Sequence, residues 1–148
     1  MSVDVARTLA GLDALLARMD LGVKQSIADA AHLIQAAAME KAPVGTPGNS
    51  TNAPGDLARS IEVEGPTGGD GIYAAELGPT VIYGRQRELG GEIYGFEPLL
   101  HFFRFGQEIY TSRVYQKPEP YMLPALEENW VDIIPLVNAR IAEVLETS

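Results

Sequence analysis

Three observations predict an α+β fold, with an antiparallel sheet packed against a long N-terminal helical segment and a C-terminal helix. Residues 3–41 and 124–146 carry apolar side chains at three- and four-residue spacings, the period of amphipathic helices. Between them, short runs alternating apolar and polar residues are punctuated by Gly-rich turns. Such turns are too short for the crossovers that parallel strands need, so the strands pair antiparallel.

At 148 residues, 46% hydrophobic and 21% charged, the chain fits one soluble globular domain spanning 1–148. Residues 1–41 hold the N-terminal helices. Val5, Leu9, Leu12, Leu15, Leu16 and Met19 form one apolar stripe, Asp20-Leu21-Gly22 interrupts it, and a second helix runs from Val23 to Lys41. Ile27, Ala30, Ala31, Ile34 and Ala38 line the inner face of that second helix, and Pro43 ends it. Residues 42–56 form a loop whose Gly, Pro, Asn, Ser and Thr residues supply no large apolar anchor, so it is expected to be mobile.

Residues 57–116 hold the sheet. Ile61 and Val63 face one way from the first strand, and Glu62 and Glu64 the other. A tight connection through Asp70-Gly71 leads to a second strand over residues 72–77. Residues 81–91 (Val-Ile-Tyr-Gly-Arg-Gln-Arg-Glu-Leu-Gly-Gly) read as the central strand, bounded by Gly78-Pro79 and Gly90-Gly91. Next comes the most aromatic segment, with Phe96, Leu99, Phe102, Phe103 and Phe105 leading to a turn at residues 105–108 and a return strand through Tyr110 and Tyr115. Both faces of residues 99–105 are largely apolar, as expected of a strand that is buried on both sides or covered by another molecule. In residues 117–148, the stiff Lys117-Pro118-Glu119-Pro120 opens the C-terminal helix. Trp130 lies on its apolar stripe, and Pro135 is expected to kink or divide it.

The net charge of −9 argues against gripping nucleic acid by its phosphates. Charges nearly balance within residues 1–41, so the acidic excess lies beyond them. Without cysteine, disulfides and thiolate metal sites are excluded. No secretory signal or membrane-length apolar run is visible, and no membrane partner is expected. His32 and His101 lack a metal-ligand spacing, and Ser60 lacks a nucleophile context. Glu88 reads as an ion-pair partner of Arg85 or Arg87, or as exposed, ahead of a general acid. No catalytic residue, cofactor or metal is expected, and the chain reads as a subunit that assembles with copies of itself and with partners.

Three pieces stand in a telling order. The first is Ala42-Pro43-Val44-Gly45-Thr46 with Gly55-Asp56-Leu57-Ala58-Arg59-Ser60-Ile61. The second is Tyr83 with Glu88-Leu89-Gly90, and the third is Pro118-Glu119-Pro120-Tyr121-Met122-Leu123-Pro124-Ala125-Leu126. Over residues 25–146 this resembles the tail-completion or head–tail joining (neck) morphogenesis proteins of long-tailed bacteriophages. Their pattern is a helix ending in APV-x-TG-x-L-x-x-SI, a segment with YY and E-F/L-G, and RP-F-L-x-P-A-L opening the last helix. Two departures are visible: the family joins Thr46 directly to Gly55-Asp56-Leu57, and its link from Gly91 to Pro118 is shorter.

The resemblance implies a non-enzymatic virion protein that forms a ring at the head–tail junction. Such a ring completes the tail, joins it to the filled head and leaves a channel for DNA. The implied partners are copies of itself (six-fold, or twelve-fold), a head connector or adaptor, and a tail terminator or tube protein, with DNA passing without specific binding. The implied location is the host cytoplasm during assembly and then the virion junction. Interface candidates are Phe96, Leu99, Phe102, Phe103, Phe105, Tyr110, Tyr115 and Trp130. Channel-facing candidates are Glu62, Glu64, Glu127, Glu128 and Asp132, for which the alternative is a solvated outer face. The alternative function is a ring- or sheet-forming adaptor of another assembly, such as a secretion apparatus, with a small hydrolase third.

Overall fold

A computed structural model describes residues 2–45, 52–95 and 99–147. The class is α+β, as predicted. Helices α1 (Ser2–Lys41), α2 (Asp56–Arg59), α3 (Ile82–Leu89) and α4 (Met122–Glu146) flank or interrupt six strands. These are β1 (Ile61–Gly69), β2 (Ile72–Pro79), β3 (Gly91–Tyr94), β4 (Leu100–Arg104), β5 (Gln107–Thr111) and β6 (Arg113–Gln116). Instead of one sheet they form three two-stranded ladders, β1 with β2, β3 with β6 and β4 with β5. The chain divides into two compact units: residues 1–33, 63–76 and 129–148, and residues 34–62 and 77–128.

In the first unit, α1 runs unbroken through Asp20-Leu21-Gly22, against the predicted interruption. Both breaker residues have tertiary work instead. A side chain on Gly22 would meet Val144 of α4 at 2.9 Å, so glycine here permits a close helix–helix approach. Asp20 accepts hydrogen bonds from the Gly71 amide at 2.7 Å and the Tyr73 hydroxyl at 2.5 Å, which pins the β1–β2 turn to α1. Those bonds, the Tyr73 hydroxyl first, lower the Asp20 pKa below its ordinary value. The turn is the two-residue Asp70-Gly71, with φ of 54° and 77°, the left-handed pair of a type I′ hairpin. Beyond Gly22, buried Ser26 and Ala30 continue the small-residue face of α1. Arg140 of α4 donates to Asp29 of α1 at 2.7 Å. Pro135 does not divide α4, which continues to Glu146.

In the second unit, the core is Ala38, Ala42, Leu57, Ile61, Tyr121 and Ala125. Alanines on α1 and α4 let the helices close on each other, and Lys41 meets Glu128 at 2.5 Å alongside. The single turn of α2 drives Leu57 into this core and leads directly into β1, whose Ile61 carbonyl accepts from Gln35 of α1 at 2.7 Å. On β1, Ile61 is buried and Val63 half-buried while Glu62 and Glu64 are exposed, the alternation read from the sequence.

The predicted central strand is a helix. Within residues 81–91, Ile82–Leu89 build α3, and the reason is local: Arg85-Gln86-Arg87-Glu88-Leu89 is a run of strong helix formers, closed by Gly90 with φ of 66°. Gly84 sits so close to Pro79 that a side chain there would approach it at 2.4 Å, which ties α3 to the end of β2.

The aromatic segment is a long hairpin in two storeys. Below, β3 pairs with β6 from Gly91↔Gln116 to Tyr94↔Arg113; above, β4 pairs with β5 from Leu100↔Thr111 to Arg104↔Gln107. The expected single return strand is divided at Ser112, whose carbonyl accepts from the Gly95 amide at 3.1 Å between the two ladders.

Candidate assembly surfaces

The three motif segments converge on one place. Ala42, Leu57, Ile61, Tyr121 and Ala125 all belong to them and supply five of the six residues of the core cluster. Glu88, from the middle segment, is the key polar member. Its carboxylate accepts from the amides of Tyr121 at 2.7 Å, Met122 at 2.9 Å and Leu123 at 3.0 Å, which satisfies the otherwise orphaned donors at the start of α4. Glu88 is therefore neither the partner of Arg85 or Arg87 nor a free surface group. Arg87 pairs with Glu119 at 2.7 Å. The Tyr121 hydroxyl donates to the Gly84 carbonyl at 3.2 Å. Burial and the nearby Glu88 charge push its pKa up to about 12. Sequence reasoning missed this capping role because Glu88 and Tyr121 lie far apart in the chain.

Other polar candidates serve structure as well. The buried Ser60 hydroxyl donates to the Leu57 carbonyl at 2.7 Å, closing α2. His101 stacks on Tyr110 with ring centres 4.7 Å apart. Among the described residues no group of three or more His, Cys, Asp and Glu side chains is placed to hold a metal ion. No helix among them is long and apolar enough to cross a membrane.

The predicted interface residues fall into separate patches. On the upper storey of the hairpin, Leu100, Phe102 and Ile109 share one half-buried face; Leu100 and Phe102 line a cleft of about 390 Å³ with Leu57, Tyr83 and Ile93, and His101 and Phe103 line it as well. The opposite face carries Phe103, His101 and Tyr110, an aromatic row open to solvent, with Phe103 edge-on to His101 at 5.4 Å. Leu99, Tyr115 and Phe105 are also exposed, Phe105 at 79%. Phe105 and Gly106 form the tip turn with φ of 51° and 77°, a second type I′ pair. A phenylalanine seldom adopts this left-handed conformation, so the tip holds an exposed aromatic at a cost in backbone energy. Phe96 lies outside the described residues, as do residues 46–51 of the loop expected to be mobile.

Trp130, 58% exposed, stands on α4 beside exposed Val131 and Ile134. The acidic candidates Glu62, Glu64, Glu127, Glu128 and Asp132 are all exposed, and Glu128 is engaged with Lys41.

One apolar surface is more extensive than the sequence suggested. Every residue from Asp4 to Ala14 on α1 is exposed. Of the apolar stripe, Val5, Leu9, Leu12, Leu16 and Met19 are 36–63% exposed and Leu15 is half-buried, so most of its area faces solvent. Covering the exposed half of the first four is worth on the order of 3–6 kcal/mol, taking roughly 1.5–3 kcal/mol for each fully buried side chain. In all, 23 large apolar side chains are exposed among the described residues, against eight buried apolar residues of which five are alanine. Large exposed apolar surface of this kind commonly marks interaction sites.

No protein family, curated protein or solved structure matches the chain significantly.

Proposed function

We propose that the chain is a non-enzymatic structural subunit of a long-tailed bacteriophage. It assembles into a ring at the head–tail junction, completes the tail and joins it to the DNA-filled head. The observation that carries the assembly half of this reading is the excess of exposed over buried large apolar side chains. Those side chains lie in patches on different elements, which suits the two unlike surfaces that a ring of head-to-tail contacts requires. The neck assignment rests on the three motif segments. They build the core and the Glu88 cap of the second unit, as expected of a pattern that specifies a subunit fold rather than a reaction. The structural engagements of Glu88, Ser60 and His101 support a role without catalysis.

The ring sits between the connector of the head and the first ring of the tail, and DNA passes through it without specific binding. Deleting the gene from a phage or prophage that carries it tests this. Filled heads and finished tails that fail to join are expected in the lysate. Intact, infectious virions would contradict the neck reading and leave an adaptor of another assembly as the alternative.

A further inference from the structure

We propose that the cleft of the second unit binds a small aromatic carboxylate, a flat apolar ring system carrying one negative charge. The site is independent of the ring proposed above.

The described lining of the cleft lies wholly within the second unit, on α2, α3, the aromatic hairpin and the segment leading into α2. Its volume of about 390 Å³ falls in the range of small-molecule sites. Leu57, Ile93, Leu100, Phe102 and Val114 supply apolar surface. The rings of Tyr83, His101 and Phe103 line it too, and a planar aromatic ligand meets such rings in offset or edge-on contact.

The charges of the lining decide the sign of the ligand. Asp56 is neutralised by Arg59 at 2.5 Å, and Arg87 pairs with Glu119 at 2.7 Å. His101 lies 3.9 Å from Glu108. Arg104 meets no carboxylate among the described residues, and its guanidinium lies 5.5 Å from the centre of the Phe105 ring instead. The one charge left without a counter-charge is therefore positive, and it selects an anion.

Tyr83 supplies a second hold. It is half-buried, yet its hydroxyl has no hydrogen-bond partner among the described residues. Burial first, and then the Asp56 charge, raise its pKa above the ordinary 10.0, so it stays protonated and able to donate. A carboxylate is the stronger acceptor for such a donor.

Isothermal titration calorimetry of the full chain with 2-naphthoate tests the site, beside 2-naphthamide as an uncharged analogue of similar shape. One 2-naphthoate per chain is expected, with a Kd on the order of 0.1–1 mM for a ligand of this size. 2-Naphthamide should bind about threefold to fivefold more weakly, the worth of one exposed charge pair. Arg104→Gln should bring the two ligands to similar affinity. Tyr83→Phe should weaken 2-naphthoate about tenfold with the thermal unfolding curve unchanged, because it removes no internal bond. No saturable binding at millimolar 2-naphthoate would overturn the proposal. Equal affinity of the parent for the two ligands, or affinity for 2-naphthoate unchanged in both variants, would overturn it as well.

Discussion

Phe105 combines an unfavourable backbone conformation with an exposed aromatic ring, as the proposed interface role would require. It holds a left-handed φ of 51° at the hairpin tip, 79% exposed, with the Arg104 guanidinium 5.5 Å from its ring centre. Asparagine suits this conformation far better. Phe105→Asn is expected to stabilise the isolated subunit by about 1 kcal/mol, a rise of roughly 2–4 °C in Tm, while weakening assembly. A variant that is less stable, or that assembles as well as the parent, would show the tip to be structural. Tyr121 gives a residue-level test of the core. Its folded pKa of about 12 lies above the ordinary 10.0, so its contribution is fully present below pH 10 and is lost as pH rises through 12. The loss amounts to roughly 2–3 kcal/mol. Chemical denaturation across this range should show Tyr121→Phe with a flatter alkaline decline than the parent, though less stable at neutral pH by about 1 kcal/mol for the lost bond to Gly84. Parallel declines for the two proteins would mean that Tyr121 is not held protonated.

At the scale of elements, Glu88 ties α3 to the first turn of α4. Glu88→Ala leaves three amides without their acceptor and is expected to cost about 2–3 kcal/mol. Glu88→Gln, which keeps one acceptor oxygen, should fall between the two. Stability unchanged in Glu88→Ala would show that water replaces the cap freely. The two long helices, the buried alternation of β1 and the aromatic hairpin were legible in the sequence, because periodicity over many residues outweighs local exceptions. Residues 81–91 were misread because Val81, Tyr83 and Leu89 suit a strand, while the helix-forming run through Arg85 and Glu88 decided the outcome. Asp20 and Gly22 looked like a break because their partners, Tyr73 and Val144, lie far along the chain. The split of the return strand at Ser112 has the same origin, since it depends on the separate registers of the two ladders. Among the candidate interface residues the sequence distinguished aromatic from polar, but only the register shows that Phe102 shares the half-buried face with Leu100 and that Phe103 lies on the exposed one.

For the whole molecule, the exposed apolar surfaces support the proposed role of a subunit that is finished only in an assembly. The acidic excess is expected to serve DNA passage, since a lumen rich in Lys and Arg would hold phosphates in a salt-dependent grip. Glu127 and Asp132 are the clean probes on α4, because Glu128 is needed by Lys41. Changing both to Lys should leave particles intact and slow DNA ejection; ejection at the parental rate would make the acidity a solubility feature. The central claim, that this chain closes into a ring with copies of itself, is tested most directly by native mass spectrometry of the purified full chain alongside electron microscopy of the same sample. A single closed oligomer of six or twelve copies, seen end-on as a ring, is the predicted result. A monodisperse monomer throughout the accessible concentration range would contradict it.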